Sequence, residues 1–227
     1  MQTTFRKFKL AGLLLVSAAV LLLTVPAQAA LVGEWNFEEG SGATAFDTST
    51  NSHDGVIING ANYVEGVDGP GTFGLEIVKA NNQRVEIPGA SWDTLTNAFS
   101  IALWCYGSAE QPVNNSIFSV RNPGRYINSH CPWGDGSVYF DVARVGNDGR
   151  ILANLSADPT QFRGKWNLYV FTFDIAAGSA QRVFLNTNQI GFVTSSPATN
   201  ITGVTQFILG SEEPDKLIRH LLAAVNT

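Results

Sequence analysis

An all-β sandwich is the fold class that the sequence predicts, and three observations predict it. Past Ala30 the chain breaks into short runs rich in Val, Ile, Phe, Tyr and Trp, interrupted roughly every eight to twelve residues by Gly, Asn, Asp or Pro. No long helical period is visible before the C-terminus, and so many short strands suit a sandwich or barrel rather than a layered α/β fold. The run from Trp166 to Phe173 alternates, with Trp166, Leu168, Val170 and Thr172 on one face and Asn167, Tyr169, Phe171 and Phe173 on the other. Both faces are largely apolar, which marks a central strand covered on both sides.

The N-terminal segment belongs to a different class. Arg6, Lys7 and Lys9 precede a weakly polar-to-apolar stretch from Leu10 to Val25, Pro26 ends it, and Ala27-Gln28-Ala29 supplies a small-x-small pattern. This order reads as a secretory signal peptide over residues 1–29, with cleavage expected after Ala29 and a mature chain starting at Ala30. The run is shorter than the roughly 18 to 20 apolar residues that span a bilayer, so no membrane span is expected after cleavage. The expected destination is extracellular, cell-surface or periplasmic. The formal net charge of the 227-residue chain is −5, and loss of the three N-terminal cations would move it to −8. An acidic surface argues against nucleic acid as a partner. The remaining roughly 200 residues suit one large β domain that can bury its core without disulfides.

The expected strands run from Leu31 to Phe37, Val56 to Val64, Leu75 to Val78, Arg84 to Ile87, Phe99 to Tyr106, Ile117 to Val120, Ser137 to Val142, Trp166 to Phe173, Arg182 to Asn186 and Gln206 to Leu209. Asn186-Thr187-Asn188 separates two strand-like runs and predicts a tight hairpin, because Asn tolerates positive φ. Cys105 and Cys131 are the two cysteines. An oxidising compartment would allow them to pair. Equally, Cys105 reads as a small core residue, since it shares a strand face with Ile101 and Leu103.

The segments Trp35-Asn-Phe-Glu-Glu-Gly-Ser-Gly42, Asp47-Thr-Ser-Thr-Asn-Ser-His-Asp-Gly55, Val85-Glu-Ile-Pro88, Phe99-Ser-Ile-Ala-Leu-Trp104, Lys165 to Asp174, Val183-Phe-Leu-Asn186 and Phe207-Ile-Leu-Gly210 follow one another in an order that resembles the laminin G-like (LamG) domains of the concanavalin A-like superfamily. The resemblance covers nearly all of residues 30–212. It implies a jelly-roll sandwich of two antiparallel sheets, used for carbohydrate or protein recognition and sometimes carrying calcium. Fold alone does not fix function, because the architecture hosts lectins, glycoside hydrolases and adhesion modules. The family's closing strand has no counterpart by motif. After Gly210 the chain reads Ser-Glu-Glu-Pro-Asp-Lys, then Leu217 to Val225, where Leu217, Leu221 and Val225 recur at i, i+4 and i+8. That spacing predicts a short helix in an atypical tail over residues 213–227. Without a closing strand, Leu31 to Phe37 would keep an unpaired edge prone to self-association.

Three constellations could carry chemistry. Glu34-x-Asn36-x-Glu38 would place three polar residues on one strand face, and some concanavalin A-like glycosidases carry Glu-x-Asp-x-Glu in such a position. Here Asn36 replaces the aspartate that tunes the two glutamates, so a solvated strand face is the preferred reading and a glycoside hydrolase using Glu34 and Glu38 the rival. Asp47, Asn51 and Asp54 form an oxygen-rich loop that could coordinate calcium or serve as a polar turn satisfying its own backbone. In Ser129-His-Cys-Pro-Trp-Gly-Asp-Gly-Ser-Val-Tyr-Phe-Asp141, a Gly- and Pro-rich turn presents His130, Trp133 and Asp135 before a strand. An aromatic face beside an acceptor holds sugars by covering C–H groups and taking hydroxyl protons. The alternative is that Trp133 caps the core. The expected function is a secreted, non-catalytic module binding a glycan or a cell-surface protein at His130, Trp133 and Asp135, with no cofactor required; a purely structural or adhesive domain is the other alternative.

Overall fold

The computed structural model describes residues 30–92, 98–114, 116–122, 124–142, 150–194, 201, 203–210 and 218–226. The expected signal peptide and the start of the tail lie outside them. In chain order the strands are β1 (Ala30–Trp35), β2 (Thr44–Ala45), β3 (Gly55–Ile58), β4 (Asn62–Gly66), β5 (Gly69–Ile77), β6 (Arg84–Pro88), β7 (Ala98–Tyr106) and β8 (Phe118–Asn122). They continue as β9 (Gly124–His130), β10 (Ser137–Val142), β11 (Ile151–Asn154), β12 (Trp166–Asp174), β13 (Ala180–Leu185), β14 (Asn188–Val193), β15 (Gln206–Leu209) and β16 (Ile218–Asn226). All pairings are antiparallel. The first sheet runs β14-β13-β12-β7-β16-β5-β4 with β1 also on β16, and the second runs β11-β10-β9-β8-β15-β6-β3-β2.

Alternation builds the core between them. In β7, Phe99, Ile101, Leu103 and Cys105 are buried while the residues between them are half-buried. Asn167, Tyr169, Phe171 and Phe173 of β12 do the same, as the sequence predicts for a central strand. A chain of rings crosses the sandwich: Trp92 stacks on Phe207 at 4.2 Å, Phe207 on Phe118 at 5.8 Å, Phe118 meets Phe171 edge-on at 5.2 Å, and Phe171 lies 5.2 Å from Phe140. Such rings supply most of the buried area and fix the layer spacing.

The predicted hairpin is present, with Asn186 at φ +54 and Leu185 paired to Asn188. The expected single run from Val56 to Val64 is two strands. Asn59 and Gly60 both adopt positive φ, and this double left-handed step carries the chain from β3 in the second sheet to β4 in the first.

The tail corrects the expected helix and the expected missing strand. Residues Ile218–Asn226 form β16, inserted between β7 on one side and β5 and then β1 on the other. The i, i+4, i+8 spacing misled because it lies on one face of a strand as well as of a helix, and a short apolar run cannot be assigned by period alone. The row of unpaired backbone groups along β7 decides the conformation, since a strand satisfies them and a helix does not.

The expected exposed edge on β1 is corrected with it. One side of β1 pairs with β16 from Ala30 to Trp35. The other side is capped by the 47–54 loop: Asn51 Nδ2 donates to the carbonyls of Leu31 at 2.8 Å and Val32 at 3.0 Å, the Thr48 amide donates to Glu34 O at 2.8 Å, and the Glu34 amide donates to Asp47 Oδ1 at 2.9 Å. Side chains do here what a further strand would do, so self-association through this edge has no backbone row to use.

Candidate functional site

The hairpin β9–β10 carries the turn that the sequence singles out. Its register pairs Tyr139 with His130 and Asp141 with Asn128. Because Ile127, Val138, Phe140 and Val142 fill the core, alternation puts Asn128, His130, Tyr139 and Asp141 on the outer face of the second sheet. The turn itself closes by the Trp133 amide donating to Ser137 O at 2.8 Å and the Gly136 amide to Trp133 O at 2.7 Å. Gly136 has φ +82, and a Cβ there would sit 2.7 Å from that of Ser156, so glycine is required.

His130, Trp133 and Asp135 are brought together around Tyr139. The His130 ring lies 4.4 Å from that of Trp133 and meets Tyr139 edge-on at 5.9 Å. Asp135 accepts from the Ser137 amide at 2.8 Å through Oδ1 and from the Tyr139 hydroxyl through Oδ2. Arg150, which the sequence reading missed, lies over the Tyr139 ring at 4.6 Å and forks onto the fully buried Asp141 carboxylate at 2.7 and 2.8 Å. Asn128 Nδ2 lies 3.2 Å from His130 Nε2. Trp133 is half-buried and Asp135 exposed, whereas His130, Asn128 and Asp141 are buried.

The electrostatics follow from these bonds. Burial alone would raise the Asp135 pKa, but the hydrogen bonds from Tyr139 and Ser137 outweigh it and hold the carboxyl below its usual range. The Tyr139 phenol is pushed up, first by its bond to Asp135 and then by burial. Asp141 raises the Arg150 pKa and keeps the guanidinium charged. The patch therefore presents a fixed anion, a half-buried cation and two half-buried aromatic rings over the buried His130 imidazole. Ser119 pairs with Asn128 in the next strand of the same row. Among the described residues, Ser119 Oγ and Asn128 Oδ1 are buried without a hydrogen-bond partner.

The remaining expectations fare differently. Asp47 is buried, and its carboxylate already accepts from the amides of Glu34, Ser49 and His53 at 2.8 to 2.9 Å. Asp54 Oδ1 accepts from the Asp47 amide, and Asn51 turns its NH2 group to β1. These bonds match the polar-turn reading of the loop, and among the described residues no group of three His, Cys, Asp or Glu is placed to hold a metal. No bridge joins Cys105 and Cys131, and both are buried thiols. Cys105 faces inward from the first sheet and Cys131 follows β9 in the second, and the Tyr169 phenol is pushed well up by burial and then by the proximity of both. Glu34 and Glu38 do not share a strand face. The strand ends at Trp35 and Phe37 adopts φ +59; Glu34 then accepts from Thr48 Oγ1 and Glu38 from the Phe73 amide.

The sequence signal for the missed partners was the alternation across the turn: Asn128 and His130 before it, Tyr139 and Asp141 after it. Arg150 carried no such signal, because it reaches the patch from outside the hairpin.

A family model described as the concanavalin A-like lectin/glucanases superfamily matches residues 79–224. No curated protein matches the chain. Among solved structures, the binding domain of paraclostridial mosquitocidal protein 1 superposes with a TM-score of 0.65 at 14% identity, over 87% of this chain and 48% of that one. Domain 4 of an extracellular arabinanase from Geobacillus stearothermophilus, in complex with arabinotriose, superposes at 0.57 and 18% identity, over 88% of this chain and 93% of that one. The binding domain of botulinum neurotoxin DC in complex with SialylT gives 0.64 and 13%, over 87% and 48%. The chain thus spans about half the length of the toxin binding domains, and likeness at these identities concerns the fold.

Proposed function

The chain belongs to the concanavalin A-like lectin/glucanases superfamily, and from that premise we propose that it is an exported, non-catalytic module that binds a glycan at the His130–Trp133–Asp135 turn. The observation that carries this reading is the convergence on one outer face of an aromatic pair 4.4 Å apart with a fixed carboxylate and a fixed guanidinium. Rings cover the apolar C–H faces of a sugar, while Asp135 accepts and Arg150 donates to its hydroxyls. The separation of Glu34 from Glu38 onto different hydrogen-bond partners favours a binding role over glycoside hydrolysis, which needs two carboxyls converging on one bond. One structural neighbour is in complex with arabinotriose and another with SialylT, which is compatible with a sugar on this scaffold. No metal is required by the reading.

A glycan array on the expressed protein, repeated with a chelator, tests it. Binding should survive chelation, and Trp133→Ala should weaken the strongest hit about ten-fold, the range of one aromatic contact, with the β spectrum unchanged. Unfolding of Trp133→Ala would instead assign Trp133 to the core.

A further inference from the structure

Two chain crossings run side by side at one corner of the sandwich. One takes β3 of the second sheet to β4 of the first through Asn59-Gly60, and the other takes β5 back to β6 through residues 78–83. Ladder pairs join them at both ends, Ile58 with Arg84 and Asn62 with Glu76. Between those ends two side-chain amides do the joining. Asn59 Nδ2 donates to the carbonyls of Asn81 at 3.2 Å and Asn82 at 3.1 Å. The buried Gln83 answers in the opposite direction: its Nε2 donates to the carbonyls of Asn59 at 3.3 Å and Gly60 at 3.0 Å, while its Oε1 accepts from the Val78 amide at 2.7 Å. Asn59 and Gly60 are themselves exposed, with φ +58 and +63, and theirs is the one Asn-Gly pair in the sequence.

We infer that Asn59 is a site of spontaneous deamidation and that the crossed amides hold the reaction back. The backbone nitrogen of Gly60 is the nucleophile, and with no Cβ beside it nothing crowds the attack. It adds to Asn59 Cγ; the new N–Cγ bond closes a five-membered succinimide, the Cγ–Nδ2 bond breaks, and Nδ2 leaves as ammonia with the proton from the Gly60 nitrogen. Water then opens the ring at either carbonyl and leaves Asp or isoaspartate at position 59, with nothing oxidised or reduced. In the closed corner Asn59 Nδ2 is tied across to two carbonyls and Gly60 is tied through its own carbonyl to Gln83. Both ties must be released before Cγ and the Gly60 nitrogen meet, so the rate follows the local opening of this corner. The product does not retie it. A carboxylate only accepts, and the carbonyls of Asn81 and Asn82 need a donor. The new charge meets Arg84, now paired with Glu86, whose Nη1 donates to the same Asn82 oxygen at 3.2 Å. Modification thus replaces a neutral lacing by an added negative charge beside a guanidinium, and it runs one way.

Peptide mass spectrometry on the full chain, aged at about pH 8 in buffer and in guanidinium chloride, tests it, with isoaspartate counted by an isoaspartyl methyltransferase. In denaturant Asn59 should convert before any other Asn, and Gly60→Ala should slow it about ten-fold by crowding the nucleophile. In buffer the folded chain should convert about ten-fold more slowly than in denaturant, because the reaction waits on opening. Gln83→Ala should raise the rate in buffer about five-fold, the weight of one such hydrogen bond. Conversion led by another Asn in denaturant, or unaffected there by Gly60→Ala, would overturn the site. Equal rates in buffer and denaturant would overturn the gating, as would a folded Gln83→Ala chain that converts no faster than wild type. The comparison of buffer with denaturant uses the unaltered chain, so it decides the matter even where Gln83→Ala fails to fold.

Discussion

Replacing Asp47 by Ala tests how the sandwich protects its first strand. The carboxylate is fully buried and accepts three backbone amides, those of Glu34 and Ser49 at 2.9 Å and of His53 at 2.8 Å, with the His53 ring 3.8 Å away. Hydrogen bonds to a charged acceptor contribute roughly 1.5 to 3 kcal/mol each, less where water can replace them. Ser49 is half-exposed and its amide will rehydrate, so the expected loss is about 3 kcal/mol, a large share of the roughly 5 to 15 kcal/mol of a typical domain. The pH dependence has a definite sign. Burial pushes the Asp47 pKa up, but the bonds from Glu34, His53 and Ser49 outweigh it and hold it below its ordinary 3.8. A depressed folded-state pKa gives stability that is fully present above 3.8 and lost as pH falls through the folded value. Urea unfolding at pH 7 and at about pH 2.5 should therefore show a wild-type advantage over Asp47→Ala that shrinks in acid. Asp135 and Asp158 are also depressed, so the difference between the two proteins, not the wild-type curve, is the readout. Amide exchange should also rise at Glu34. A variant within about 0.5 kcal/mol of wild type at pH 7, with the same acid slope, would refute the capping role.

Thiol titration without reductant should find no reactive thiol in the native protein and two after denaturation, because both cysteines are buried and no bridge joins them; recovery of none would show that the bridge forms. Arg150→Ala withdraws the guanidinium fork from a fully buried carboxylate and should cost about 3 to 5 kcal/mol, measured by chemical unfolding, with Arg150→Lys intermediate because an ammonium cannot fork. A loss below about 1 kcal/mol would show that Asp141 is carried by its other contacts.

Where one face of a strand had to be buried, the residues announced it. β12 reads correctly because Tyr169, Phe171 and Phe173 alternate against the outward row, and Asn186 declares its own turn. The fold was misread where two geometries share a spacing, as at Leu217, Leu221 and Val225, or where a backbone conformation rather than a side-chain pattern decides, as at Asn59-Gly60 and Phe37. The site was legible to the same degree. His130, Trp133 and Asp135 lie within six residues and could be read as one turn. Arg150 meets Asp141 only once β11 pairs back on β10, and no side-chain pattern before the pairing encodes that. Asp47 and Asn51 were visible as an oxygen-rich loop, but the choice between a metal and the β1 backbone depended on where that edge lies.

The division of labour between core and surface supports reading the outer patch as functional. The ring chain from Trp92 through Phe207, Phe118 and Phe171 to Phe140 lies wholly between the sheets, and the patch contributes none of its rings. Burying Asp141, Asn128 and Ser119 carries a desolvation cost that an ion pair only partly returns, and apolar residues of similar volume would generally be as stable or more so. Stability alone therefore gives little reason to keep a charged fork on this row. The Asp47 loop is the contrasting case: its buried charge satisfies three amides that nothing apolar could satisfy, so its cost is returned within the fold. On the outer face no such set of amides takes up the Asp141 charge, which is met by the Arg150 fork, and rings beside a fixed acceptor and a fixed donor are the groups on which the proposed glycan reading rests.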